Sequence, residues 1–393
     1  MENMLVVGGS WGTTVNDIKS SGFVAKFAQA VNKYFDGNVT VFNGGPYEML
    51  EKIIGTVAQF DYVFWWANVD NSLPKIRDVK EIAPKVMLIN SKRDDNGKYT
   101  FQELVMRTLV AKANLSFLFK KNDTGCIEIT VYDPLGSVWY QGEDIEMSAK
   151  ATVERLRFLK SMTRQSTFQS PTDKNLVMAW YFDQFKQTEY QSDKEIDIPD
   201  EQDFVDVVRR YATEFQKFMP NIKSERFVGN ASMRPIPPQV GRCGKGMPSF
   251  KKDGIVFVSK RNIDKQFIEL NNFVPCFMAD DKLMYCGNDK PSVDTPVQIR
   301  LYEELPQMRY MLHSHCYIQD APFTATAIPC GAIEEVDTVM KVIKNKKLGD
   351  SKWIAINLLG HGALIMWDSM ERFHNEIEPV LSYYQRVMPE IMF

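Results

Sequence analysis

The sequence predicts an α/β protein built in two successive parts, a parallel-sheet domain and then an α/β domain with a mixed or antiparallel sheet. Three observations lead there. Short apolar runs alternate with helical patterns from Met4 to Met162, and strands alternating with helices imply parallel pairing through right-handed crossovers. Beyond about Asp203 the character changes to short strands and loops. The chain is 393 residues long, more than one core ordinarily organises. The expected boundaries are 1–165 for the first domain, 166–200 for a helical connector and 201–393 for the second domain.

The elements follow in order. Met4-Leu5-Val6-Val7 is a strand, and Gly8-Gly9-Ser10-Trp11-Gly12 reads as the turn after it. A helix runs from Gly22 to Tyr34 with Phe23, Phe27, Ala30, Val31 and Tyr34 on one face. Asn38 to Phe42 is a strand ended by Asn43-Gly44-Gly45-Pro46, and Tyr47 to Gln59 a helix. Asp61 to Trp66 and Lys85 to Ile89 are strands, and Thr100 to Ala113 is a helix. Ile127 to Tyr132 and Val138 to Tyr140 form a hairpin around Asp133-Pro134-Leu135-Gly136, and a helix from Met147 to Met162 closes this part. Ser170-Pro171 and Pro199 break the polar connector on either side of a helical stretch, Asn175 to Gln187. A helix then reaches Phe218 and stops before Pro220, and short strands continue through Tyr285. Thr295 to Leu305 is a helix with Pro296 in its first turn. Arg309 to His315, Trp353 to Leu359 and Ala363 to Trp367 are strands, and a last helix spans Met370 to Met388.

Composition narrows the function classes. Apolar residues make up 44% and charged residues 25%, enough for a packed core, which sets aside disorder and disulfide-stapled miniproteins. The net charge of -3 supplies no basic field for nucleic acid. No window is long and apolar enough for a membrane span, and Met1-Glu2-Asn3-Met4 lacks the features of a signal peptide. The six cysteines contain no CxxC pair and read as reduced thiols of a cytoplasmic protein, the alternative being a bridge or a metal role for some of them.

Only four histidines are present, and their placement is the sharpest signal. His313 and His315 lie two apart in Met311-Leu312-His313-Ser314-His315, a spacing that puts both on one side of a strand. His361 lies in Gly360-His361-Gly362 between two apolar runs, where flanking glycines permit a tight turn. Three neutral imidazoles would leave an open position on zinc, as catalytic sites do. The plain alternative is three histidines satisfied within the core. His374, on the expected last helix, reads as a surface residue.

Four segments resemble the class II aldolase/adducin family. Lys290-Pro291-Ser292-Val293-Asp294-Thr295-Pro296 is similar to its Lys-Pro-Ser-Ser-Glu-Thr-Pro segment, followed here as there by a strand ending in His-x-His. Gly229-Asn230-Ala231-Ser232-Met233-Arg234 is similar to its Gly-Asn-x-Ser-x-Arg, and Leu359-Gly360-His361-Gly362 to its Asn-His-Gly element. The resemblance implies an aldolase-like fold for the second domain. It implies His313, His315 and His361 as ligands of Zn2+ or another divalent metal. Asp294 takes the place of the catalytic glutamate, and Asn230 and Ser292 that of groups binding the substrate phosphate. The family's phosphate loop would fall on Ser259, Lys260, Arg261 and Asn262, where its glycine is missing but two cations are available. Asp294 is one methylene shorter than glutamate, a loss of roughly 1.5 Å in reach. Gly241-Arg242-Cys243-Gly244-Lys245-Gly246 is an additional basic loop that does not match a phosphate-binding Walker pattern.

The N-terminal part, Rossmann-like in its pattern, resembles phosphopantothenoylcysteine synthetases through Gly8-Gly9-Ser10, the segment up to Ser20-Ser21-Gly22, and Ala67-Asn68-Val69-Asp70 with Lys75-Ile76. This resemblance implies a phosphate or nucleotide site, with CTP or ATP as ligand, at Gly9, Ser10, Ser21, Gly22 and Lys75. The alternative is a scaffold with ordinary glycine-rich turns.

Together these resemblances imply a zinc-dependent aldolase-type lyase acting on a phosphorylated sugar or hydroxy-ketone through a metal-stabilised enediolate. The alternatives are a sugar-phosphate epimerase or dehydratase of the same family, or a nucleotide-dependent ligase like the synthetases. They further imply a homo-oligomer, a tetramer by the family's habit, with a small-molecule substrate as the partner.

Overall fold

The computed structural model describes residues 1–69, 79–122, 124–175, 177–178, 200–218, 227–234 and 254–392. The chain divides into two compact units, Met1–Ser161 together with Val387–Phe393, and Met162–Arg386.

The first unit contains β1 (Glu2–Gly12), α1 (Gly22–Tyr34), β2 (Gly37–Pro46), α2 (Tyr47–Ile54), β3 (Tyr62–Trp65), β4 (Asn68–Val69), α3 (Val79–Ile82), β5 (Met87–Arg93), α4 (Phe101–Val110), β6 (Leu115–Lys121), β7 (Ile127–Tyr132), β8 (Ser137–Gly142) and α5 (Ile145–Ser161). Strands β2-β1-β3-β5-β6 lie side by side, all parallel. The hairpin β7–β8 extends the sheet antiparallel from β6. Strand β1 alternates faces: Met4 and Val6 join a core with α1 and α5, while Leu5 and Val7 join another with α2. A parallel sheet covered on both faces is the expected Rossmann-like arrangement. Strand β6, rich in Leu and Phe, was not among the expected elements.

Two turns expected from glycine prove to be strand. β1 continues through Gly8-Gly9-Ser10-Trp11-Gly12 with a bulge, and pairs there with Gly45 and Pro46 of β2. The glycines serve close backbone approach: a Cβ on Gly9, where φ is 73°, would lie 2.6 Å from the Gly44 nitrogen.

The second unit contains β9 (Thr167–Ser170), α6 (Asp200–Phe218), β10 (Asn230–Met233), β11 (Val256–Ser259), β12 (Phe273–Ala279), β13 (Lys282–Cys286), α7 (Thr295–Glu304), β14 (Tyr310–Ser314), β15 (Tyr317–Ile318), α8 (Glu334–Lys346), β16 (Trp353–Leu358), β17 (Gly362–Trp367), α9 (Met370–Arg372) and β18 (Tyr383–Tyr384). The sheet order is β16-β17-β14-β10-β11-β12-β13-β9, antiparallel except for the last pair. This is the mixed sheet the sequence predicts. One face packs on α6 through Phe204, Val205 and Val208, the other on α7 and α8 through Leu301, Tyr302 and Val339.

Three expectations change. The connector 166–200 opens with a strand, β9, which pairs with β13; residues 179–199 lie outside the described residues. The helix expected from Met370 to Met388 is only the short α9 and a π-turn, Phe373–Ile377. Pro379 has no N–H with which to continue the helical hydrogen bonding. The chain then forms β18 against β15, and β19 (Glu390–Ile391) joins β8 in the first unit. Finally, α8 was not foreseen.

Candidate metal centre

The site lies at one end of the second unit's sheet, on the α7/α8 side. His313 sits on β14, between Asn230 of β10 and Leu364 of β17. Met311, two residues earlier, packs in the α7/α8 core, so the strand period sends His313 to the same side. The strand ends at Ser314, and His315 occupies the bend just beyond it. His361 caps the turn between β16 and β17. That turn is held by Leu359 N–H donating to Thr324 Oγ1 at 2.9 Å and Gly360 N–H donating to Tyr317 Oη at 2.9 Å. Gly362 brings the turn against β14, and a Cβ there would lie 1.9 Å from the Ser314 carbonyl oxygen.

The three imidazoles meet. Ring centroids are 5.1 Å apart for His313 and His315, 4.6 Å for His313 and His361, and 5.2 Å for His315 and His361. One ligand nitrogen from each lies within 4.8 Å of the other two. Outer contacts choose which nitrogen faces inward. His313 Nδ1 contacts the Ala363 carbonyl oxygen at 3.0 Å, leaving its buried Nε2 with no hydrogen-bond partner. His361 Nδ1 pairs with Glu335 Oε1 at 2.9 Å. Carboxylates and carbonyls on the outer nitrogen are the usual device for aiming an imidazole at a metal.

Electrostatics suits a cation. Burial, with the neighbouring histidines adding to it, pushes His313 and His315 well below the usual imidazole range, into the neutral form that ligates metals. Burial also opposes a charge on His361, but Cys330 and Glu335 outweigh it and raise His361 well above that range. Cys330 Sγ lies 3.0 Å from His361 Nε2. Surroundings that hold a proton on this nitrogen offer the same attraction to a metal ion in its place. A partnerless buried nitrogen, neutral imidazoles and nearby carboxylate and thiol donors together form a donor set suited to zinc.

Asp294 stands at the N-terminal end of α7 and is 7% exposed. Asn230 Nδ2 donates to its Oδ2 at 2.7 Å, and Gln298 Nε2 donates to the Asn230 side-chain oxygen. Asp294 Oδ1 is buried without a partner. Asp294, Cys330 and His361 form a second donor group, again within 4.8 Å of one another. Lys265, buried at the same end, is pushed down to about 8 by burial, against the opposing pull of Asp264 and Asp294.

The other expected phosphate residues gather beside Asp294 and are engaged within the protein. Ser259 Oγ accepts from Ala231 N–H at 3.1 Å, and Ser292 N–H donates to the Ser259 carbonyl at 3.2 Å. Lys260 pairs with Asp289 at 2.9 Å, and Arg261 Nε donates to the Pro291 carbonyl at 3.2 Å.

In the first unit, Ser10 exchanges backbone hydrogen bonds with Lys19, and Ser21 caps α1 through Val24 N–H at 3.4 Å. Asn43 receives Ser21 N–H at 2.8 Å. Gly9, Ser10, Ser21 and Gly22 thus share one neighbourhood at the carboxyl end of β1. Lys75 and the 241–246 loop lie outside the described residues. Cys330, Glu335, Gln298 and Lys265 are site residues that sequence pattern did not single out.

Neither family models nor curated proteins match the chain. Among solved structures, the C-terminal domain of the coenzyme A biosynthesis bifunctional protein CoaBC is 15% identical over 40% of this chain and 95% of its own, with a TM-score of 0.31. An L-fuculose 1-phosphate aldolase is 13% identical over 45% of this chain and 81% of its own, with a TM-score of 0.31. An aldolase II superfamily protein from Pseudomonas syringae is 14% identical over 45% and 70%, with a TM-score of 0.29. Similar structures thus include both kinds of protein that the sequence resembles. Among the described residues, no helix is long and apolar enough to cross a membrane.

Proposed function

We infer that the second unit is a metal-dependent lyase of the aldolase type, acting on a phosphorylated sugar or hydroxy-ketone. The observation that carries this reading is the convergence of His313, His315 and His361 beside a buried carboxylate with one oxygen unpaired. His313, His315 and His361 would hold the ion. Bound there, a divalent metal supplies Lewis acidity toward a substrate carbonyl oxygen. Asp294 Oδ1 takes the proton alpha to that carbonyl, and Asn230 holds Oδ2 so that Oδ1 keeps its aim. Lys260, Arg261 and Ser292 would receive the substrate phosphate, with Asp289 releasing Lys260. An aldolase, an epimerase and a dehydratase diverge only after this proton or bond is lost, so the shared step is the one to test. Zinc-loaded protein should exchange the C–H hydrogens of dihydroxyacetone phosphate with deuterated water, followed by NMR. No exchange above background across a panel of hydroxy-ketone phosphates, at full zinc occupancy, would contradict the reading.

A second reading concerns the first unit. Between β1 and β3 the strand order reverses direction, and such switch points are where doubly wound sheets bind nucleotides. Gly9, Ser10, Ser21 and Gly22 stand at the carboxyl end of β1, beside that point. CTP or ATP is the ligand that the resemblance to the synthetases implies. It should raise the melting temperature in a thermal-shift screen, and a silent nucleotide panel would reject this reading.

A further inference from the structure

The metal centre contains a sulfur donor that the three-histidine pattern does not include. Cys330 Sγ lies 3.0 Å from His361 Nε2, the nitrogen left to face inward once Glu335 holds Nδ1. The placement depends on Gly331. With φ at 74°, Gly331 lies so close to the Asp294 segment that a Cβ there would sit 2.7 Å from the Val293 carbonyl oxygen. This packing lays Cys330 beside Asp294, and both share a ligand-distance group with His361. The second observation is independent of the thiol: Asp294 Oδ1 is a buried carboxylate oxygen with no hydrogen-bond partner, a costly arrangement unless a cation or donor answers it.

We propose that Cys330 is a thiolate ligand of the ion bound by His361, making this a sulfur-containing centre rather than an all-histidine one. The proposal deepens the metal-dependent reading above and rests on it. His361 Nε2 can bind only one ion, so Cys330 joins the metal that His313 and His315 hold, with Asp294 beside it as the base rather than as a ligand. The thiol gives its proton to solvent as the metal–sulfur bond forms. A thiolate donor favours zinc and other thiophilic ions over magnesium or manganese.

Cobalt(II) substitution tests this without any assay of activity. The full chain loaded with cobalt should show visible ligand-field bands together with a near-ultraviolet sulfur-to-cobalt charge-transfer band. Cys330→Ser should lose the charge-transfer band and keep the ligand-field bands, while Cys316→Ser, a control thiol next to His315, should keep both. Ligand-field bands in the wild type without charge transfer would overturn the thiolate ligand and leave the histidine site standing. No cobalt spectrum at all would overturn both. A second measurement needs no variant. Zinc should slow alkylation of Cys330 by roughly tenfold or more, read by mass spectrometry, with exposed Cys126 as the unchanged reference. Equal alkylation of Cys330 with and without bound zinc would overturn the proposal.

Discussion

Asn230 donates its side-chain N–H to Asp294 Oδ2 at 2.7 Å, deep at the end of two different elements. The bond ties the sheet to the start of α7 and leaves Oδ1 as the free oxygen. Asp294→Asn keeps the shape but removes the base, and proton exchange should fall by about 10²- to 10⁴-fold. Bound zinc, measured by mass spectrometry, should stay within about twofold of wild type, since the metal is held mainly by the histidines. Unchanged exchange in this variant would remove Asp294 from the chemistry.

Glu335 and His361 form a buried carboxylate–imidazole pair at 2.9 Å, with side chains 5% and 1% exposed. Glu335→Ala frees the ring to rotate and removes the negative charge behind it. Zinc affinity should weaken by about 10- to 100-fold, read by competition with a chromophoric chelator. An affinity equal to wild type would show that packing alone aims His361.

Gly362→Ala tests the turn itself. The backbone there has φ of 149°, and the new methyl would meet the Ser314 carbonyl. β17 must shift away from β14, which should cost at least about 2 kcal/mol in denaturant unfolding. Zinc binding should weaken as well, because the same shift separates His361 from His313. A neutral substitution would mean that the turn relaxes freely.

His374, at the surface as expected, contacts Glu378 at 2.8 Å and Asp203 at 2.9 Å and so bridges α6 and the π-turn. Burial works against its charge, but the two carboxylates prevail and raise it above 6.5. A raised folded value means the charged form is stabilised by folding. This contribution is fully present below about pH 6.5 and fades as pH rises through the folded value. The side chain is 38% exposed, so solvent screening limits the effect to about 0.3–1 kcal/mol. His374→Ala should therefore destabilise the protein more at pH 6 than at pH 9. An equal loss at both would assign His374 a packing role.

The legible part of this protein was the part written in short periods. A two-residue spacing singled out His313 and His315, although His315 reaches the site from the bend beyond β14 rather than from the strand, and Gly-His-Gly marked His361 at a turn. Alternation of apolar runs and helical faces foretold the parallel sheet of the first unit. Cys330 and Glu335 reach the site through tertiary packing of a loop and a helix start, for which no local pattern exists. Gln298 and Lys265 look like ordinary polar residues until the fold buries them. The glycines of β1 and β2 misled, because glycine serves close strand approach as well as turns. Helix α8 did carry local signals: acidic Glu334, Glu335 and Asp337 at its start, Lys344 and Lys346 at its end, and Val336, Val339 and Ile343 on one face.

Metal analysis of the purified full chain shows whether His313, His315 and His361 hold an ion. After exposure to zinc and removal of loose ions, the protein should carry about one zinc per chain, and the paired substitution of His313 and His315 by alanine should reduce this to near zero while the chain remains folded. A folded wild-type chain that retains no zinc, or a double variant that retains it fully, would mean that the three histidines are not a metal site.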